Sequence, residues 1–308
     1  FLVNIKTDLL FLMDKDSILD FFVKNEGLTS VYRDRAERYF IPLAEQMLDW
    51  KGSEVLCLGM NGAQGSGKST LSRFLQMYFR ELHGLSMVIL SLDDLYLTRA
   101  ERIDLAKEVH PLLETRGVPG THDIGLGIDF MERCLEGDWK QAICPRFNKA
   151  TDDREPLSHW QRLEEAPDII LLEGWCVGAL PEPEEALSEP VNMLEKEEDA
   201  AGTWRRFVNE RLGAEYQSFY DMFSHWVVLQ PPSFEAVVEN RMKQEEQLRA
   251  QVQASDSVGL MVMSDEDVIR FVSHYERLTR WMWTVFPERA DVLIRLKENH
   301  VVNEMVIR

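Results

Sequence analysis

Gly62-Ala63-Gln64-Gly65-Ser66-Gly67-Lys68-Ser69 has the spacing GxxxxGK[ST]; an apolar run, Val55 to Met60, precedes it and a helix-like run, Thr70 to Phe79, follows. Strand, glycine-rich loop and helix in that order make a phosphate cradle: glycines let backbone N–H groups turn inward, and the helix start adds positive partial charge. A glycine-rich turn matching by chance would lack these flanks. Gly62, Ala63, Gln64, Gly65, Ser66, Gly67, Lys68 and Ser69 are therefore expected around nucleotide phosphates. Lys68 should reach the β- and γ-phosphates, and the Ser69 hydroxyl should ligate Mg2+.

Outward from the loop, apolar strand-like runs recur at Val55 to Met60, Met87 to Leu92, Ile169 to Leu172, Trp226 to Leu229 and Val292 to Leu296, with helical patterns between them. Such runs imply a parallel sheet covered on both faces, with ligands at the carboxyl ends of its strands. The second run ends in Asp93-Asp94-Leu95-Tyr96. Asp93 is the candidate base that takes the proton of an acceptor hydroxyl, and Asp94 either assists or caps the next turn. Ile169 to Leu172 close on Glu173-Gly174, an acid at a buried strand end suited to orienting Mg2+ or its waters. Trp175 beside it reads as core.

Between those strands lie Arg116-Gly117-Val118-Pro119-Gly120-Thr121-His122-Asp123, Pro145-Arg146-Phe147-Asn148-Lys149 and Asp152-Asp153-Arg154. Arg116, Arg146, Lys149 and Arg154 are candidates to pair a carboxylated acceptor; ordinary surface ion pairs are the bland alternative. His122 and Asp123 either hydrogen-bond acceptor hydroxyls or hold the loop together. Arg241, Lys243 and Arg249 lie on a helical stretch, Phe234 to Gln251, where Arg241 is the candidate lid cation and solvation the competing reading. Trp281-Met282-Trp283 reads as core and not as an adenine platform.

The 308 residues, 45% hydrophobic and 28% charged, suffice for a sizeable core. Lys and Arg number 34 against 53 Asp and Glu, a formal charge of -19. That balance disfavours nucleic acid and anionic membrane as partners, and requires a local basic pocket for any bound polyanion. Cys57, Cys134, Cys144 and Cys176 lack CxxC spacing, which points to reduced thiols in a cytoplasm. No apolar stretch has the length of a membrane span. Phe1 to Met13 lacks a signal peptide's basic flank and cleavage site, and a chain beginning at Phe1 leaves its true start open. Helical spacing over Val31 to Met47 should break or kink at Pro42. Pro181 to Ala200 reads as a solvated acidic loop running into a helix, and Ala254 to Met263 as a small-residue linker before an N-cap at Ser264.

The ordered set GAQGSGKST (62–70), SLDDLYLT (91–98), LETRGVPGTHD (113–123), PRFNKA (145–150) with DDR (152–154), LLEGW (171–175), NRMKQEEQLR (240–249) and MSDEDVIRFVSHYERL (263–278) resembles the D-glycerate 3-kinase-like P-loop kinases, relatives of uridine and pantothenate kinases. The resemblance runs from about Ile41 to the C-terminus. It implies an α/β P-loop NTPase three-layer sandwich, with a mainly parallel sheet and helical substrate and lid insertions. One kinase domain would span 1–308: an N-terminal helical extension over 1–50, an acceptor-binding insertion over 94–165 and a lid over 234–264. It further implies ATP on Gly62 to Thr70; Lys68, Asp93 and Glu173 as catalytic groups, with Asp93 as base; and Mg2+ on Ser69 and Glu173, directly or through water. The acceptor, a small hydroxylated carboxylate, would meet Asp94, Tyr96, Arg116, His122, Asp123, Arg146, Lys149 and Arg154. The enzyme would be a monomer or homodimer. Two departures touch the acceptor segment: the family has aspartate where Asn148 stands, and a glycine-rich stretch where this chain has Thr151-Asp152. D-Glycerate is the leading acceptor; a pantothenate- or uridine-type kinase and a regulatory ATPase acting on a protein are the alternatives.

Overall fold

Residues 14–255, 263–298 and 301–308 are described by a computed structural model. Its strands are β1 (Leu56–Gly62), β2 (Met87–Ser91), β3 (Ile143–Cys144), β4 (Phe147–Asn148), β5 (Asp153–Arg154), β6 (Gln161–Arg162), β7 (Ile169–Gly174), β8 (His225–Gln230), β9 (Val292–Leu296) and β10 (Val302–Ile307). Six of them form one sheet in the order β10-β9-β8-β1-β7-β2. All neighbours are parallel except β9 and β10. The other four make two short antiparallel pairs, β3 with β6 and β4 with β5.

Successive side chains of a strand point to opposite faces, and here both faces are covered. Ile169 and Leu171 enter one core with Leu58, Met60 and Phe74, and Ile170 and Leu172 enter the other with Leu90, Phe130 and Trp175. Helices Lys15–Asn25, Ile41–Trp50 and Lys68–Tyr78 supply the first core, and helices Ile124–Leu135, Thr203–Arg211 and Asp265–Arg289 supply the second. This two-sided burial explains the unbroken apolar runs and gives the three-layer α/β sandwich of a P-loop NTPase.

Pro42 does not break its helix. The chain stays helical from Ser30 to Trp50, passing through a π-helical stretch at Ala36–Phe40 that places Pro42 in the first turn of Ile41–Trp50. There a missing N–H costs nothing. The acidic stretch 181–200 is, as expected, a loop running into a helix, Met193–Glu198, with Glu184, Glu185, Glu189, Glu197 and Glu198 exposed; two of its acids are not solvated. Glu195 is fully buried, and its two oxygens accept from Arg277 Nε and Nη2 at 2.8 and 2.7 Å. Glu182 meets the same guanidinium at 3.3 Å. Asp199, also buried, pairs with Arg205 at 3.0 Å. Helix Phe234–Ser255 continues through Ala254 and Ser255; the rest of the small-residue linker, 256–262, lies outside the described residues, as does Phe1 to Met13. Ser264 caps Asp265–Arg289 in a reciprocal box with Asp267.

Candidate active site

β1 enters the phosphate loop between β7 and β8, so the loop emerges at the centre of the sheet's carboxyl edge. Gly67 takes φ +91°, a conformation side chains resist, and directly precedes helix Lys68–Tyr78, whose N-terminus no side chain among the described residues caps. Its first N–H groups are therefore left for an anion. β7 places Glu173 beside Met60 on one side and Ser91 on the other. Glu173 Oε1 accepts from the Ser69 hydroxyl at 3.2 Å and the Ser91 hydroxyl at 3.3 Å. Its Oε2 is buried without a hydrogen-bond partner among the described residues, 3.8 Å from Lys68 Nζ.

Asp93 lies in the short turn Leu92–Leu95 that follows β2. Its Oδ1 accepts from the Tyr96 hydroxyl at 2.9 Å and its Oδ2 from Lys149 Nζ at 2.6 Å. Burial pushes the carboxyl up, but the ammonium groups of Lys149 and Lys68 outweigh it and hold the pKa at about 2. A cleft of about 310 Å3 collects Gln64, Gly65, Lys68, Ser69, Asp93, Tyr96, Arg116, Lys149, Glu173 and Arg241. Four cations face two carboxylates there, the local basic pocket that so acidic a chain needs to hold an anion.

Other acceptor candidates stand behind this wall. His122 stacks on Tyr96 with centroids 4.5 Å apart, and its Nδ1 lies 2.6 Å from the Tyr216 hydroxyl. Burial pushes its pKa down to about 3. Arg154 bridges Asp123 at 3.3 Å and the Tyr96 carbonyl at 3.1 Å. Asp94 and Arg146 are not brought into the cleft. They pair with each other at 2.9 Å, Asp94 also accepts from the Phe147 N–H at 3.0 Å, and both line a separate concavity of about 390 Å3 beside β2. The reason is directional: as the turn leaves β2, Asp94 points to the β4 hairpin while Asp93 points to the loop.

Arg241 reaches the cleft and pairs with Glu245 at 2.6 Å, one turn on. Its helix lies close over the loop, since a Cβ on Gly65 would meet Gln244 Nε2 at 2.9 Å. Sequence reasoning missed Gln244, Phe271 and Tyr275, which complete the lining. Phe271 and Tyr275 stand one turn apart on a single helix face, the only signal they offer. Trp175 does more than fill the core: its indole N–H donates to the Gly117 carbonyl at 2.8 Å and fixes the RGVPG turn. Trp281 and Met282 pack into the core as expected.

All four cysteines are buried free thiols, and burial pushes Cys57 and Cys144 up to about 11. No helix among the described residues is long and apolar enough to cross a membrane.

No protein-family model matches the chain. It is 33% identical over 232 residues to an uncharacterized kinase, mug58, of Schizosaccharomyces pombe, covering 71% of this chain and 77% of that protein. It is 31% identical over 269 residues to a chloroplastic D-glycerate 3-kinase of Arabidopsis thaliana, covering 80% of this chain and 54% of that one. The solved D-glycerate 3-kinase of Cryptococcus neoformans superposes with a TM-score of 0.70 at 21% identity, over 89% of this chain and 98% of its own, and supports the fold. With its phosphate loop, its strand-end acids and these relatives, the chain belongs to the D-glycerate 3-kinase-like family of ATP-dependent P-loop kinases.

Proposed function

We propose that the protein transfers the γ-phosphoryl group of ATP to a hydroxyl of a small hydroxylated carboxylate, with D-glycerate as acceptor. One observation carries this reading: a single cleft joins the phosphate-loop groups Lys68, Ser69 and Glu173 to the strand-end acid Asp93 and to the cations Arg116 and Lys149. A nucleotide switch needs neither a base nor acceptor cations. The relatives named as D-glycerate 3-kinases support the choice of acceptor.

Lys68 and the loop N–H groups bind and orient the phosphates. The Ser69 hydroxyl and the unpartnered Glu173 Oε2 are hard oxygen donors that fit Mg2+, which keeps most of its shell as water and phosphate oxygen. Bound there, Mg2+ supplies neutralisation of phosphate charge. Asp93 accepts the hydroxyl proton as the oxygen bonds to phosphorus. A carboxyl held near 2 is a weak base, which suffices for a loose transition state in which the alcohol acidifies late. Lys149, exposed at 61%, is free to exchange Asp93 for the acceptor's carboxylate, and that exchange makes Asp93 more basic. Arg241, which lines the same cleft, is the residue we assign as the lid arginine for the transferring group. A concavity of about 690 Å3 lined by Gln230, Pro231, Pro232 and Lys297 opens at the carboxyl ends of β8 and β9, the same sheet edge from which the loop emerges, and is our candidate for the nucleoside end.

Labelled ATP supplied with a panel of hydroxy acids, pantothenate and uridine tests the reading. D-Glycerate should stimulate ATP consumption and yield a phosphorylated product by mass spectrometry. Hydrolysis indifferent to every acceptor contradicts it.

A further inference from the structure

Asp152 is the one non-glycine residue among the described residues with positive φ, at 56°. L-residues resist that conformation, and aspartate is among the few that tolerate it. Such strain persists where surrounding contacts over-determine it. Those contacts are specific. The Asp152 carbonyl accepts from Arg102 Nη2 at 2.7 Å, and its carboxylate lies 3.0 Å from the same nitrogen. Arg102, 1% exposed, also donates to the carbonyls of Leu97 and Glu114 at 3.3 and 2.9 Å. It thereby ties together the segment after Tyr96, the segment before Arg116 and the hairpin that carries Lys149. The Asp152 carboxylate also accepts from Arg116 Nη1, and the Arg116 guanidinium lies 5.6 Å from the Phe147 ring centroid. Nη1 is thus engaged and one face covered. Among the described residues Arg116 Nε and Nη2 donate to no other group, and Arg116 lines the cleft.

We propose that Asp152 is a positioning residue for acceptor recognition: anchored on buried Arg102, it fixes Arg116 so that the remaining donors of the guanidinium are presented to the acceptor's carboxylate. This rests on the hydroxy-acid reading above. A planar fork recognises a carboxylate by two parallel N–H bonds, so its orientation decides how much affinity it gives. An arginine fixed beforehand loses less side-chain entropy when it binds. The Asn148 side-chain Oδ1 accepts from the backbone N–H groups of Ala150 and Thr151 at 2.9 and 3.2 Å, so the turn that delivers Asp152 is itself braced.

Two variants separate charge from backbone. Asp152→Asn keeps tolerance of positive φ and an oxygen acceptor but loses the charge; Asp152→Gly frees the backbone and removes the side chain. The measurement is steady-state kinetics with D-glycerate and ATP, with melting temperature as the check on folding. Both variants should raise the KM for D-glycerate, Asp152→Gly by about tenfold or more, as expected when a charged hydrogen bond loses its orientation. The kcat and the KM for ATP should stay within about twofold. In an Arg116→Met background Asp152→Asn should add nothing further to the acceptor KM. An unchanged or lowered acceptor KM in a folded variant, or an equal rise in the KM for ATP, overturns the proposal and leaves the kinase reading intact. If Asp152→Gly does not fold, Asp152→Asn decides alone. A wild-type protein that turns over no hydroxy acid removes both.

Discussion

Lys68 and Glu173 stand 3.8 Å apart, and the Ser69 and Ser91 hydroxyls both donate to the same carboxylate. The charges of the phosphate loop are therefore set in one network, in which Lys68 is the member aimed at phosphate. Lys68→Ala should lower kcat/KM for ATP by roughly 100-fold or more, the scale expected when a preorganised charge on the transferring group is lost. Circular dichroism and melting temperature should stay close to wild type, because Lys68 lies in the cleft and supports no core. Full turnover in this variant would contradict the loop's role. The residues legible in the sequence are those whose position follows from local order alone: Lys68 and Ser69 from the loop spacing, Asp93 and Glu173 from strand ends. Tyr275 was not legible as part of the cleft wall, nor Asp152 as a partner of Arg116. Asp152 sits at a positive φ and Tyr275 packs against Gly117, and neither property appears in a residue's neighbours along the chain.

At the scale of elements, the RGVPG turn is held from three sides. Trp175 donates to its Gly117 carbonyl, Thr121 Oγ1 accepts from the Gly117 N–H at 3.0 Å, and the Tyr275 hydroxyl donates to the Arg116 carbonyl at 3.2 Å. Gly117 has φ +140°, and a Cβ there would lie 2.2 Å from the Tyr275 hydroxyl oxygen. Gly117→Ala should displace Tyr275 from the cleft wall and raise the acceptor KM more than the KM for ATP, measured by the same kinetics; equal effects would detach this turn from the acceptor side. The acidic segment 181–200 is tied to helix Asp265–Arg289 by the buried pair of Glu195 and Arg277. Glu195→Ala leaves Arg277, 8% exposed, with Glu182 and carbonyls as its remaining partners. A loss of about 3–5 kcal/mol in urea unfolding is expected, since one partner of a buried pair is removed; a change under about 1 kcal/mol, the surface-pair range, would restore the solvated reading. Most glutamates of that segment face water as the run suggests; Glu195 was not legible as the exception, because a glutamate in such a run looks the same whether it faces water or an arginine on a distant helix. The five parallel strands were legible because both faces are buried. β10 was not: it is an antiparallel edge strand whose Asn303 and Glu304 are exposed, so its apolar pattern is thin.

For the whole molecule, acidity and buried histidine set the pH response. Burial pushes His122 to about 3 and His274 to about 4, against an ordinary value of 6.5. Both stay neutral in the folded state across a range where the unfolded chain protonates them. Stability is therefore full above about pH 6.5 and falls as pH drops toward about 4, by up to about 1.4 kcal/mol per pH unit for each histidine. Asp93, held at about 2 against 3.8, adds its own loss only below about pH 4. Urea midpoints between pH 7 and pH 4.5 should fall steadily in wild type and less steeply in His274→Gln. A flat profile would mean that these imidazoles are protonated inside the fold.

The central claim is that Asp93 and the phosphate loop serve one reaction on one acceptor. It is tested most directly by following labelled phosphoryl transfer from ATP to D-glycerate in wild type and in Asp93→Asn. The account predicts phosphoglycerate formation by wild type, and a fall of about 100-fold or more in kcat for the variant with ATP binding retained. ATP hydrolysis that is independent of acceptor and unaffected by Asp93→Asn would contradict it.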